Sequence, residues 1–166
     1  MLQLYYFPDN ASLAPHFLLA ETHVEYALRL VDRNSNAQKS AEYLKLNPAG
    51  RIPALVHHDL VLFESPAICT YICELDAALQ FIPPLGHPNR PLFFQWLAYL
   101  NNTLQTEYML WRYPENHTTD AGGIEGIKAA QDPRLVRILA LLDEELSKKR
   151  FLLGDAVSGC DHFLWH

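Results

Sequence analysis

Asn47-Pro48-Ala49-Gly50-Arg51-Ile52-Pro53-Ala54-Leu55-Val56, then Leu60-Val61-Leu62-Phe63, then Glu64-Ser65-Pro66-Ala67-Ile68, reads as a turn, two short strands and a helix start. His57-His58-Asp59 separates the two apolar runs, a spacing that suits a hairpin. Pro53 cannot donate to a sheet ladder, so it belongs at the start or edge of its strand. Ser65 before Pro66 is a helix-start signal. Serine caps orphan amides, and proline at the first helical position loses no bond by lacking an N–H. A helix start presents free amides and partial positive charge, so it attracts a carboxylate. With the Glu64 carboxylate beside it to hold an amine, the site suits an α-amino acid headgroup. An ordinary capped helix after a hairpin explains the same residues.

Outward from this stretch the pattern stays mixed. Leu2 to Phe7 is an aromatic-rich strand, broken by Pro8-Asp9-Asn10. Ser12 to Glu21 reads as a helix, capped by Asn10 or Ser12, with Pro15 in its tolerant first turn. Tyr26, Leu28 and Leu30 alternate as a second strand, and Asn34 to Leu46 is weakly helical. The order is β-α-β-α-β-β-α. Pro83-Pro84, Gly86, Pro88 and Pro91 then mark a linker. Beyond it, Leu92 to Tyr113 carries a helical stripe through Phe93, Trp96, Leu97, Leu100, Leu104, Tyr108 and Trp111. A loop covers 114–123 and Ile124 to Ala130 forms a turn or two. Asp132-Pro133 restarts a helix whose stripe is Leu135, Ile138, Leu139, Leu142 and Leu146. Ser158 with Asp161 is a variant capping box that opens a last helix.

The chain has 166 residues, 49% of them hydrophobic, enough to bury a core. A net charge of −6 with scattered basic residues argues against nucleic acid or a membrane surface as partner. No apolar run approaches the roughly 20 residues of a transmembrane helix, and no secretory leader is visible. Cys69, Cys73 and Cys160 form no disulfide framework, which fits a reducing cytoplasm. The histidines read as surface or loop residues. His162 and His166 share the spacing of two ligands on one helix face, but no third ligand accompanies them, so no metal is expected. No G-x-S-x-G elbow supports a hydrolase.

Arg51-Ile-Pro-Ala-Leu-Val56 followed by Phe63-Glu-Ser-Pro-Ala-Ile68 resembles the glutathione-binding half of a glutathione S-transferase. The resemblance covers the whole chain. It implies an α/β thioredoxin-like domain at 1–79, a linker at 80–91 and an all-helical domain at 92–166. It implies glutathione as co-substrate, a small apolar electrophile as second substrate, and a homodimer. The proline matching Pro53 is cis in that family. The backbone of the residue before it, here Ile52, pairs with the cysteinyl part of glutathione, and the Glu-Ser pair holds the γ-glutamyl end. Arg51 is placed to reach a glutathione carboxylate, and an exposed turn arginine explains the same residue equally well. Family members continue through further helices, so the C-terminal domain reads as truncated at His166.

Glutathione transfer needs a thiolate at neutral pH, and a free thiol has a pKa of about 8.5. The stabilising donor belongs between the first strand and first helix. Leu4-Tyr5-Tyr6-x-Pro8-x-x-x-Ser12-Leu13-x-Pro15-His16 is similar to the bacterial beta class. Ala11 stands where that class has cysteine, which excludes a mixed disulfide there. Ser12 is the first candidate donor, as in serine-type members. Tyr6, in a Tyr-Phe-Pro like that of the tyrosine-type enzymes, is the second, and Asn10 or backbone amides remain. A plain cap for Ser12 and a buried strand tyrosine for Tyr6 explain the same residues. Ala98 and Gln105 stand where the beta class has asparagine and histidine. The resemblance gives the electrophile a wall of Phe7, Leu13, Tyr108, Trp111 and Tyr113, with Arg112 at its edge. The alternative function is a non-catalytic binding or regulatory protein of the same fold.

Overall fold

The computed structural model of the chain describes residues 1–78 and 80–165. The predicted domain boundary at 79 and the terminal His166 lie outside the described residues. Strands β1 (Leu2–Tyr6), β2 (Tyr26–Leu30), β3 (Ala54–His57) and β4 (Leu60–Phe63) form one sheet in the order β2-β1-β3-β4. β1 runs parallel to β2 and antiparallel to β3, and β3 pairs with β4 as the expected hairpin. The parallel pair needs a crossover, which α1 (Leu13–Glu21) supplies. Short 3-10 turns at Arg33–Ser35 and Ala37–Lys39 and helix α2 (Ala41–Leu44) lead from β2 to β3. Helix α3 (Ser65–Leu75) follows β4. This is the thioredoxin-like α/β arrangement.

The sheet is covered on both sides. Leu2 and Leu4 of β1 and Leu55 of β3 are fully buried with Leu18 of α1 and Ile68 and Ile72 of α3. A smaller cluster holds Val31, Tyr43, Ile52 and Ala54, with Tyr5 and Phe7 packed against it. Each such side chain contributes about 1.5–3 kcal/mol of burial.

The second half is helical: α4 (Arg90–Ala98), α5 (Thr106–Arg112), α6 (Gly123–Lys148) and α7 (Gly159–Leu164). The long helix expected over 92–113 begins at Arg90 and passes through a π-helical segment, Tyr99–Gln105, between α4 and α5. The expected restart at Asp132-Pro133 is absent, because α6 runs unbroken through Pro133. Proline there removes one backbone bond and crowds the preceding turn. The remaining turns of this helix and its buried Ile138 and Leu142 outweigh that local cost.

The proline-rich connection does not stand apart from the fold. Phe81 and Ile82 are buried, and they join a core that runs on without a break into Phe93, Trp96, Leu97, Leu142, Leu152, Cys160 and Phe163. Helix α7 sits where the two halves meet. Its capping box forms: the Asp161 carboxylate accepts from the Ser158 backbone at 2.8 Å and also from the Leu152 backbone at 2.8 Å. His162 is not a surface residue. It is buried, with Nδ1 2.9 Å from the Ser158 carbonyl oxygen and Nε2 3.1 Å from the Glu21 carboxylate at the end of α1.

Candidate functional site

Two ladders bring the deciding stretch together. Tyr5 pairs with Ala54, and Ala54 pairs with Phe63. The ladders end there, so Pro53 lies one residue beyond the Tyr5–Ala54 pair and Glu64 one residue beyond the Ala54–Phe63 pair. The Ile52–Pro53 peptide bond is cis, as the family pattern implies. Pro53 itself precedes β3, where its missing N–H costs no ladder bond.

The turn before it is held by groups that the sequence motif does not name. The Arg51 carbonyl oxygen accepts from the Tyr43 hydroxyl and from Asn47 Nδ2, both at 2.8 Å. Asn47, itself buried, also accepts from the Ala49 N–H at 3.0 Å. Gly50 closes the turn at φ 61°, where an added Cβ would meet Lys39 Nζ at 2.8 Å. Burial, and secondarily Tyr5, push the Tyr43 hydroxyl well above its ordinary pKa of 10.0, so it stays a donor. An Asn beginning a turn signals the local part of this network, but Tyr43 is reached only through the fold. The Arg51 side chain is exposed.

At the start of α3 the structure corrects one expectation. Ser65 is the first helical residue rather than the cap, and Glu64 occupies the cap position. The Ser65 hydroxyl donates to the Ala11 carbonyl oxygen at 3.0 Å, tying α3 to the β1–α1 loop. Glu64 is exposed and adopts φ 71°, ψ 113°, a conformation that costs a non-glycine residue about 1–3 kcal/mol. Its carboxylate therefore stands at the amide-bearing end of an 11-residue helix.

The β1–α1 loop is closed by its own side chains. The Ser12 hydroxyl donates to the Phe7 carbonyl oxygen at 3.0 Å and accepts from the Phe7 N–H at 3.3 Å. Ser12 is 1% exposed. Asn10 Oδ1 accepts from the Ser12 N–H at 3.0 Å, and the Asn10 carbonyl accepts from Leu13 at 2.9 Å. Ser12 occupies the cap position of α1, although its hydroxyl bonds to Phe7 rather than to the helix. Tyr6 is half-buried on the β1 face of Leu2 and Leu4, its ring centroid 6.0 Å from that of His16. Thus Tyr6, Asn10, Ser12, Ile52, Pro53, Glu64 and Ser65 converge, with Arg51 at the margin.

On the helical side, Tyr108 and Trp111 stack at 6.0 Å between centroids. Trp111 Nε1 donates to Asp132 of α6 at 2.8 Å, and Lys128 lies over its ring. Arg112 lies over Tyr113. These contacts run to α6 and among the residues themselves. Ala98 precedes the π-helical segment and Gln105 ends it, and its wider turns change the angular offset between them. Among the described residues, no group of three or more His, Cys, Asp or Glu side chains could hold a metal ion. No helix among them is long and apolar enough to cross a membrane.

The family model for the glutathione S-transferase N-terminal domain matches residues 1–74. A glutathione S-transferase of Xanthomonas campestris pv. campestris, GST-4.5, is 28% identical over 165 residues, covering 99% of this chain and 79% of the relative. The solved ternary complex of BphK, a bacterial GST, is 30% identical with a TM-score of 0.84, over 98% of this chain and 79% of that one. A glutathione transferase of Burkholderia graminis, solved with two glutathione molecules bound per subunit, is 27% identical with a TM-score of 0.84, over 98% of this chain and 69% of that one.

Proposed function

The chain belongs to the glutathione S-transferase family, and from that premise we propose that it binds glutathione and conjugates its thiolate to small hydrophobic electrophiles. The observation that carries the reading is the convergence of the Ile52–Pro53 cis bond, the Glu64-Ser65 helix start and the β1–α1 loop, locked by the Ser65–Ala11 hydrogen bond. In this reading residues 1–79 are the glutathione-binding domain, 80–91 a linker and 92–166 the helical domain.

Each residue of the set has a role suited to its chemistry. Glu64 holds the γ-glutamyl amine, and the amides at the start of α3 receive the adjoining carboxylate beside Ser65. The Ile52 backbone, presented at the cis bond by Pro53, pairs with the cysteinyl unit, and Arg51 reaches a terminal carboxylate. Ser12, Tyr6 and Asn10 are the groups available to stabilise the thiolate. A positioned thiolate gains rate through its proximity to the electrophile and through its ionised form. Tyr108, Trp111 and Tyr113 give that electrophile an aromatic wall. The working protein is a cytoplasmic homodimer in detoxification.

Retention on immobilised glutathione, followed by conjugation to an activated aryl halide, tests both halves. Retention without turnover supports the second reading, a non-catalytic binding protein, which the commitment of the Ser12 hydroxyl to Phe7 favours. No retention removes both.

A further inference from the structure

We propose that the thiolate donor in this chain is the side-chain amide of Asn10, and that Ser12 is a positioning residue that holds Asn10 in place. The inference rests on the glutathione reading above and deepens it. Ser12 has one hydroxyl proton, and that proton is donated to the Phe7 carbonyl at 3.0 Å. The same oxygen accepts from the Phe7 N–H, and the residue is 1% exposed. To serve a sulfur, Ser12 would have to break both contacts and reach out of the core. It would leave the part-buried Phe7 N–H and C=O without their partner.

Asn10 is arranged in the opposite way. The Ser12 N–H is a donor, so the Asn10 atom that faces it at 3.0 Å must be the oxygen. That contact fixes the orientation of the amide and assigns the other atom as Nδ2. Both Nδ2 hydrogens are without a partner among the described residues. Asn10 is half-buried, so the donor is held near the protein without being sealed inside it. The next residue, Ala11, gives its carbonyl to Ser65, so Asn10 stands one residue from the contact that joins this loop to the γ-glutamyl site. The Ala11 N–H is likewise without a partner among the described residues. The Asn10 Nδ2 group and the Ala11 N–H give the loop two kinds of donor that no described residue takes up, and the exposed Asp9 carboxylate precedes them.

Tyr6 competes less well on the same geometry. Its ring lies on the face of β1 that carries the fully buried Leu2 and Leu4, and it packs on His16. Asn10 neither takes nor gives a proton in this scheme. The thiol proton leaves to water, the S–H bond breaks, and the amide stabilises the sulfur anion through hydrogen bonding.

The experiment is the pH titration of glutathione bound to wild type, Asn10→Asp, Asn10→Ala, Ser12→Ala, Ser12→Thr and Tyr6→Phe, read by thiolate ultraviolet absorbance, with calorimetric affinity beside it. Asn10→Asp keeps an oxygen for the Ser12 N–H and so keeps the loop closed, but it replaces the donor with a negative acceptor. It is expected to raise the bound thiol pKa by about 1–2 units or more, the worth of one hydrogen bond to a charged group. Asn10→Ala shifts it in the same direction. Ser12→Ala is expected to weaken glutathione affinity and thiol ionisation together, and Ser12→Thr, which restores the hydroxyl, to recover both. A wild-type thiol pKa in Asn10→Asp overturns the proposal, as does a raised pKa in Ser12→Ala or Tyr6→Phe with Asn10→Ala unchanged. Absence of glutathione binding by the wild type overturns the reading beneath it instead, which separates the two failures.

Discussion

The Ser65 hydroxyl and the Ala11 carbonyl oxygen meet at 3.0 Å across 54 residues of sequence. This bond joins the first turn of α3 to the loop that enters α1, the two pieces that in the proposed function hold opposite ends of one ligand. Ser65→Ala removes the donor and leaves a sheltered carbonyl without a partner. The expected loss is about 1 kcal/mol of stability by urea unfolding. Glutathione affinity should fall with it, by about tenfold in calorimetry, because the loop loses its tether to the binding residues.

Glu64 carries strain at its backbone and, in the proposed function, a contact at its side chain. Glycine adopts φ 71° without the Cβ penalty, so Glu64→Gly is expected to stabilise the fold by about 1 kcal/mol while abolishing glutathione retention. Glu64→Gln keeps the backbone strain and size, and its stability should lie within about 0.5 kcal/mol of wild type. Thermal unfolding of the two variants, with binding measured beside it, separates conformational cost from ligand contact. Parallel loss of stability and binding in Glu64→Gly would contradict this division.

The three cysteines lie in the shared core and stand outside the chemistry. Burial pushes the Cys160 thiol up to about 12 from its ordinary 9.0, with Asp161 adding to the effect. Burial also raises Cys69 and Cys73, and neighbouring thiols add to both. All three are therefore protonated in the folded protein at neutral pH. Their folded pKa values lie above the unfolded ones, so their contribution is intact below about pH 8.5 and is lost as pH rises toward the folded values. Stability should fall from about pH 8.5 upward, with each thiol adding a slope of up to about 1.4 kcal/mol per pH unit. A thiol-specific disulfide reagent at pH 8 should find no reactive cysteine in the native protein and all three in denaturant.

The residues legible in the sequence are those whose meaning is local. Gly50 in its turn, Pro53 at a strand start, the two apolar runs of the hairpin and the Ser158–Asp161 box each announce a backbone conformation within a few residues. Ser65 marks the limit of such reading. A serine before a proline signals a helix start, and a helix does start there, but the hydroxyl is taken by Ala11 from a distant loop. Ser12 is legible as a cap position and not as the group that bonds Phe7. At Pro133 the surrounding helix overrides the local rule that proline restarts a helix. His162 stands apart in the sequence only by its spacing to His166, which carries no signal of burial. Only the packing of α7 brings it to Glu21. Tyr43 is hidden for the same reason, since its bond to the Arg51 carbonyl depends on how α2 meets the turn.

The proposed function requires that glutathione be held by the Glu64-Ser65 end of α3. Calorimetric titration of glutathione into wild type and Glu64→Ala tests it most directly. Wild type should bind saturably, and Glu64→Ala should bind at least about tenfold more weakly, the cost of losing one charge-assisted hydrogen bond of about 1.5–3 kcal/mol. Equal affinity in the two proteins, or no binding by wild type, would contradict it.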